Sequence, residues 1–184
     1  MNQPNGKPKV ATVWLDGCSG CHMSFLDLDE RLIAIAEAVD VVHSPVVDPK
    51  DFPHDVTMTL VEGAVSSDHD LELAHIMRER SKLLVSLGDC AVTSNVPSMR
   101  NPYKDQVLLD RAYVENADVA QGHPRTGERG VPPLQVKARP LHEIVHVDLF
   151  LPGCPPPADA IHHAITEVLA GRMPEPSTLT RFGM

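Results

Sequence analysis

Several features common in proteins are scarce or missing in this 184-residue sequence, and each absence excludes a class of function. Lys and Arg total 16 against 25 Asp and Glu, and the formal net charge of −9 argues against a surface for nucleic acid or anionic lipid. No apolar run approaches the ~20 residues of a membrane-spanning helix. The polar start at residues 1–9 has no signal-peptide core, so the cytoplasm is the expected location.

Aromatic residues make up only 4% of the chain, so aliphatic side chains must build the core. The single tryptophan, Trp14, lies in the first apolar run and is expected in that core. The sequence has no G-x-G-x-x-G fingerprint, no P-loop and no nucleophile elbow, so the common nucleotide and hydrolase sites are not indicated. The length suits a single domain over residues 1–184.

Apolar, β-branched runs alternate along the chain with segments of helical spacing. Helices are predicted over residues 25–39, after a capping box at Ser67 and Asp70, and over about 158–170. Strands are predicted over residues 9–16, 41–47, 55–65, 82–87 and 144–151. Such alternation favours an α/β fold, a flavodoxin-like three-layer sandwich with a mainly parallel sheet.

The alternation fails between residues 97 and 140. Twelve of the 17 prolines lie from Pro97 onward, and the run from Gly122 to Gly130 is typical of a flexible loop. A connection of this length with little regular structure is usually functional or disordered. We therefore predict a long irregular excursion that contacts a partner, with a mobile surface loop as the alternative.

The sequence contains four cysteines, each at a place suited to a metal ligand. Cys18 and Cys21 form a C-x-x-C pair after the first predicted strand, Cys90 follows the fourth, and Cys154 follows the fifth. The carboxyl ends of parallel strands meet at one edge of a sheet, where ligands bind. Four thiolates gathered there would complete one all-cysteine iron–sulfur cluster.

Glycines accompany all four cysteines. Gly17 and Gly20 lie in the C-x-x-C loop, and Gly88 and Gly153 precede the other two cysteines in the chain. Glycine lets the backbone approach a cluster closely, and backbone N–H groups on such turns stabilise its negative charge.

Two other uses of the cysteines remain open at this point. A tetrahedral zinc site with four cysteine ligands also uses C-x-x-C, although structural zinc more often has two such pairs. A thioredoxin-like redox pair would use Cys18 and Cys21 and leave Cys90 and Cys154 as inert thiols. A flavin at the sheet's switch point is a lesser alternative, because the cysteines occupy the loop that would hold its phosphate.

Glu62 ends the third predicted strand and is followed by a glycine, at the same edge of the sheet as the cysteines. A carboxylate in that place could relay protons or contact a partner. The alternative is an ordinary surface carboxylate.

The cysteine motifs together resemble those of the small subunit of nickel–iron hydrogenases. The stretch from Gly88 to Pro102 is most similar to small subunits of cytoplasmic, bidirectional NAD-reducing hydrogenases. The wider superfamily includes the small cluster-bearing subunit of NADH:quinone oxidoreductase, which typically has adjacent cysteines at the first motif. The resemblance is carried by Cys18-Ser19-Gly20-Cys21, Glu62-Gly63, Gly88-Asp89-Cys90 and Pro152-Gly153-Cys154-Pro155-Pro156.

This resemblance implies one proximal [4Fe-4S] cluster held by Cys18, Cys21, Cys90 and Cys154, since no cysteine follows Cys154. It implies a separate nickel–iron large subunit and a diaphorase module of iron–sulfur and flavin subunits that exchanges hydride with NAD. The chain would pass electrons between them and have no activity alone. The alternatives are a nickel-free subunit of an NADH:quinone oxidoreductase-like complex and a zinc-stabilised binding module.

Overall fold

The computed structural model describes residues 6–118, 122–123, 131–175, 177 and 179–180. Strands in this part of the chain are β1 (Lys9–Trp14), β2 (Asp40–His43), β3 (Val56–Glu62), β4 (Val65–Ser67), β5 (Ser81–Leu87), β6 (Leu134–Arg139) and β7 (Leu149–Leu151). The α-helices are α1 (Gly20–Leu26), α2 (Arg31–Ala38), α3 (Asp68–Arg80), α4 (Gly88–Thr93), α5 (Asp105–Asp110) and α6 (Ala158–Leu169). None of these helices is both long and apolar enough to cross a bilayer.

Five strands form the main sheet, in the order β2-β1-β3-β5-β7, and every neighbouring pair is parallel. Counting only these strands, the order is the 2-1-3-4-5 of a flavodoxin-like fold. The predicted α/β sandwich is therefore confirmed. Since the strands run in one direction, the loops after β1, β3, β5 and β7 all leave from the same edge of the sheet.

Alternate residues of each central strand face opposite sides of the sheet, as the period of two requires. On β1, Val10 packs in a core cluster with residues of α1, α2 and α6, whereas Ala11 and Val13 pack in a second cluster with residues of α3. Leu60 and Val61 divide in the same way on β3. Helices on both faces give the expected three layers.

The capping box predicted at Ser67 is present. The Ser67 side chain accepts a hydrogen bond from the backbone N–H of Asp70, and the Asp70 carboxylate accepts one from the backbone N–H of Ser67. This reciprocal pair satisfies two amides at the start of α3.

Several predicted boundaries are wrong. The strand predicted over residues 41–47 ends at His43, and the one predicted over 55–65 is divided into β3 and β4. Two further errors have local reasons. The single helix expected over residues 25–39 is divided into α1 and α2, and Asp29 between them has a left-handed backbone with φ of 49°. The last strand begins at Leu149 rather than residue 144, because a 3₁₀ turn at Leu141–Glu143 comes before it.

Trp14 is not a core residue. Its side chain is 41% exposed at the end of β1, and its ring meets the ring of His22 edge-on at a centroid separation of 5.2 Å. The sequence pattern correctly placed Trp14 in a strand but wrongly predicted that its side chain is buried. The burial of a side chain at a strand end depends on which loops cover it.

The excursion is more regular than its sequence indicates. It contains a 3₁₀ turn at Pro97–Arg100, helix α5, a π-helical turn at Arg111–Glu115, and strand β6 paired antiparallel with β4. The Arg100 guanidinium donates to the carbonyls of Ser66 and Gln135 at 2.9 and 2.8 Å and so fastens the two strands. The prediction of an irregular segment is thus corrected, except over residues 119–121 and 124–130, which lie outside the described residues.

Candidate metal centre

The C-x-x-C pair lies between the end of β1 and the first turn of α1. Ser19 has a left-handed backbone with φ of 66°, and α1 begins at Gly20. This turn leaves Cys18 exposed and places Cys21 in the first turn of the helix, where it is buried. The two thiols of the pair therefore have different access to solvent.

The other two cysteines lie in the loops after β5 and β7. Strand β5 ends at Leu87 and α4 begins at Gly88, which places Cys90 in the first turn of α4 with its side chain half-buried. Cys154 follows β7 in the turn Gly153-Cys154-Pro155 and is exposed. Because β1, β5 and β7 are parallel, all four cysteines lie at the same edge of the sheet, as predicted.

The glycines near the cysteines serve different contacts. A Cβ at Gly88 would lie 2.2 Å from the Cys21 sulfur, and one at Gly20 would lie 3.2 Å from the Cys18 sulfur. The Cβ positions of Gly17 and Gly153 instead face backbone, 3.3 Å from the Cα of Gly63 and 2.6 Å from that of Pro156. Gly88 is thus the point at which the loop of Cys90 touches Cys21, a residue 67 positions away in the chain.

The pKa of Cys21 also reflects the proximity of the other three thiols. Burial raises the pKa of the Cys21 thiol, and the negative charges of Glu62, Cys90, Cys18 and Cys154 raise that pKa further. Burial likewise raises the pKa of the Cys90 thiol. Four thiolates this close repel one another unless cations lie between them. Such mutual repulsion is expected in a metal site before its metal binds.

Two buried hydrogen bonds join the loops of Cys90 and Cys154. The backbone N–H of Asp89 donates to the Gly153 carbonyl at 2.9 Å, and the backbone N–H of Gly153 donates to Oδ1 of Asp89 at 2.7 Å. Asp89 is only 5% exposed. This reciprocal pair, which we call the Asp89 clamp, fixes the spacing between the two cysteine loops.

The turn after α4 places a hydrogen-bond donor beside the sulfur of Cys154. Nδ2 of Asn95 lies 3.7 Å from the sulfur of Cys154, a distance normal for an N–H···S hydrogen bond. The backbone N–H of Val96 lowers the pKa of the Cys90 thiol, against the larger effect of burial.

Glu62 is not a surface carboxylate. It is 2% exposed, and its Oε2 accepts a hydrogen bond from the backbone N–H of His22 at 3.0 Å and contacts Nδ1 of the His22 ring at 2.5 Å. His22 is itself 6% exposed, and its Nε2 has no hydrogen-bond partner among the described residues. Glu62 therefore anchors the first turn of α1, which carries Cys21, to the end of β3.

The donor set consists of four thiols, which is the set that an all-cysteine iron–sulfur cluster uses. Cluster thiolates surround a body of several atoms, whereas a zinc ion needs its ligands within about 2.3 Å of one point. Four cysteines at one edge, with glycines in the intervening turns, are the residues that would hold the cluster.

Three residues at this site were not found from the sequence: His22, Asp89 and Asn95. Their signals were present but weak, since His22 and Asp89 each adjoin a cysteine and Asn95 follows α4 by two residues. Each acts through a partner 40 to 64 positions away in the chain. Sequence patterns of local spacing do not report such pairs.

Comparison with known proteins agrees with this geometry. The family model described as "NADH ubiquinone oxidoreductase, 20 Kd subunit" matches residues 18–168, a range that includes all four cysteines. The chain belongs to this family. The wider superfamily to which the cysteine motifs pointed is thereby confirmed, and the relatives and the NAD+-reducing hydrogenase structure described next confirm the likeness to hydrogenase small subunits.

Relatives of the chain within this family are hydrogenase subunits. The NAD-reducing hydrogenase HoxS subunit delta of Cupriavidus necator is 40% identical over 185 residues, which cover 96% of this chain and 86% of the relative. A subunit of the F420-non-reducing hydrogenase of Methanocaldococcus jannaschii is 36% identical over 168 residues, 91% of this chain. The chain spans only 58% of that second relative's length.

Solved structures support the same placement in the family. A chain in the crystal structure of an NAD+-reducing [NiFe]-hydrogenase in the H2-reduced state matches with a TM-score of 0.89 and 37% identity, covering 96% of this chain and 99% of that one. A chain of the [NiFeSe]-hydrogenase of Dm. baculatum matches with a TM-score of 0.60 at 16% identity, which supports the fold alone.

Proposed function

We propose that this chain is the electron-transferring small subunit of an NAD-reducing nickel–iron hydrogenase. The observation that carries the proposal is the convergence of Cys18, Cys21, Cys90 and Cys154 at one edge of the sheet. The likeness to the NAD-reducing hydrogenase of C. necator, over nearly the whole chain, supports this choice among cluster-bearing subunits. A [4Fe-4S] cluster bound by these cysteines would accept and release single electrons.

The chain's own residues would hold that cluster at a fixed place. Glu62 anchors the turn that carries Cys21, and the Asp89 clamp holds the loops of Cys90 and Cys154 at a constant spacing. Cys21 would bind from the apolar side, where burial excludes water, while Cys18 and Cys154 bind near the surface. Two exposed ligands on one face suit a centre that exchanges electrons across a subunit boundary.

The partners follow from this role. A large subunit with the nickel–iron site would lie against the exposed cysteines, and a diaphorase module with iron–sulfur and flavin subunits would complete the path to NAD. The chain would have no activity alone, because the resemblance implies that other subunits hold the hydrogen site and the nicotinamide site. A flavin in this chain receives no support from the geometry, since Cys18 lies in the loop that would cradle its phosphate.

Glu62 keeps its proposed role as a proton relay. Its buried carboxylate is in contact with the His22 ring, so the two groups can share a proton. Glu62→Gln keeps an oxygen for the His22 amide but removes the titrating group. We expect this variant to retain its cluster and to lose at least about tenfold in hydrogen-dependent NAD reduction. Unchanged activity with a full cluster would refute the relay.

A second function is favoured by the family description itself. A nickel-free subunit of an NADH:quinone oxidoreductase-like complex would use the same cysteines to pass electrons toward quinone. The two functions differ in the partner and not in the residues of this chain.

The experiment that tests the proposal is elemental analysis of the complex that copurifies anaerobically with the tagged chain from its native host. Nickel together with a large excess of iron is the expected result. Iron without nickel would transfer the chain to the quinone-reductase type. Zinc with neither metal would refute the iron–sulfur assignment and favour a zinc-stabilised binding module.

A further inference from the structure

The sulfurs of the proposed cluster site do not have equal surroundings. Beside Cys21 lies the buried carboxylate of Glu62, whose charge opposes ionisation of that thiol. Near Cys154 the turn at residues 94–96 instead supplies an N–H donor, from the Asn95 side chain. We call residues 94–96 the donor turn.

Local hydrogen bonds hold the donor turn firmly. Ser94 ends α4 with a left-handed backbone, φ of 61°, and its N–H donates to the Cys90 carbonyl at 3.0 Å. The Ser98 hydroxyl donates to the Asn95 carbonyl at 2.8 Å, and the Ser98 N–H donates to the Ser94 carbonyl at 2.9 Å. The Asn95 side chain therefore extends from a backbone fixed on both sides, which makes its approach to Cys154 reproducible.

Hydrogen bonds to ligand sulfur change the relative stability of two redox states. The reduced form of a cluster has one more negative charge than the oxidised form, and an N–H donor stabilises the more negative form. Each such bond raises the reduction potential, whereas a nearby carboxylate lowers it.

We propose that Asn95 raises the reduction potential of the cluster by donating a hydrogen bond to the sulfur of Cys154. The inference rests on the proposed function, because it needs a cluster on these cysteines. Asn95 is not itself a ligand, and removing its amide should leave the four thiolates in place. Its role is to tune the centre that the cysteines hold.

The test is a redox titration of the full chain, loaded anaerobically with iron and sulfide and followed by electron paramagnetic resonance. Asn95→Leu has similar volume and no donor, and we expect its midpoint potential to be more negative than that of the native chain at equal iron content. Asn95→Gln restores an N–H donor and is expected to return the potential toward the native value. Asn116→Leu, the same change on an exposed residue of the excursion, should leave the potential unchanged.

Each outcome separates this inference from the function on which it rests. A native chain that takes up no iron and sulfide would overturn both. A full cluster whose potential is the same in Asn95→Leu and Asn116→Leu would overturn the inference alone. Should Asn95→Leu lose the cluster, Asn95→Ala removes the same donor without placing apolar bulk beside the sulfur, and the same negative shift decides.

Discussion

The two halves of the cysteine site are built in different ways. The first half is the C-x-x-C turn with Cys18 and Cys21, two residues close in the chain that one side chain, Glu62, anchors to β3. The second half is the pair Cys90 and Cys154, from loops 64 residues apart that the Asp89 clamp joins. A local turn determines the positions of the cysteines in the first half, and the register of parallel strands determines those in the second. The two halves should therefore respond differently to substitutions.

The largest effect is expected from the ligands themselves. Cys21→Ser should lower the iron content per chain by more than about tenfold, because this sulfur is buried and no water can replace it. Cys154→Ser should retain more iron, since its ligand position is exposed and a solvent oxygen can reach it. Iron analysis after anaerobic loading, with hydrogen-dependent NAD reduction by the complex, gives the comparison. Full activity in serine variants of all four cysteines would refute the ligand assignment.

Gly88→Ala should disrupt both halves of the site, because Gly88 lies in the loop of Cys90 and contacts Cys21. The added Cβ would lie 2.2 Å from the Cys21 sulfur, and the residue has a φ of 81°, which a side chain adopts only with strain. Strain and overpacking together should lower the free energy of unfolding by about 2–5 kcal/mol and displace Cys21.

Gly122→Ala is the matched control for this change. Gly122 also has a φ of 81°, but a Cβ there meets nothing within 4 Å. The free energy of unfolding of this variant should fall only by the cost of a side chain on a left-handed backbone, about 1–2 kcal/mol. The variant should keep its iron. Denaturant unfolding measures both variants, and equal losses would show that the Gly88–Cys21 contact has no effect of its own.

Asp89→Leu should weaken the second half while leaving the first in place. It removes the oxygen that accepts from the buried Gly153 N–H, and leaving such a donor unsatisfied costs about 1–3 kcal/mol. Asp89→Asn keeps an acceptor oxygen and should cost less. Hydrogen exchange at the Gly153 amide should accelerate in Asp89→Leu while exchange at the His22 amide stays the same. Equal acceleration at both amides would mean that the two halves form a single cooperative unit.

The smallest effect concerns the strand that leads to Cys154. Asp148 accepts from the Arg78 guanidinium at 2.5 Å and from the Leu84 N–H at 2.7 Å. Burial alone would raise the pKa of Asp148, but these two partners hold that pKa below its usual range. A lowered pKa contributes stability above the ordinary carboxyl pKa of 3.8, and this stability is lost as the pH falls through the lower value in the folded chain.

Asp148→Asn therefore gives a test with a defined sign. At pH 7 the variant should be less stable than the native chain by about 1–2 kcal/mol, and the difference should shrink below about pH 4. Denaturant unfolding at several pH values measures it. A stability difference between Asp148→Asn and the native chain that grows toward acid pH would contradict the lowered pKa of Asp148.

The sequence predicted elements better than it predicted their ends. The apolar, β-branched runs of β1, β3 and β5 and the capping box at Ser67 were enough to place these strands and α3. The break at Asp29 was missed because its left-handed backbone has no signal in the hydrophobic spacing, which continues from Phe25 to Val39. Strand β6 was missed although Leu134–Arg139 alternates apolar and polar residues, because only pairing with β4 identifies so short a run as a strand.

By itself the sequence determined the α/β class and the family, and it predicted the set of four cysteine donors. These follow from residue types and their spacing, which can be read directly from the amino-acid sequence. The tertiary structure decided which groups surround the donors: Glu62 with His22, Asp89 with Gly153, and Asn95 with Cys154. Each pair joins residues at least 40 positions apart, and their distances depend on strand order and register. Contacts of this kind are fixed when the sheet assembles, and no local pattern in the chain encodes them.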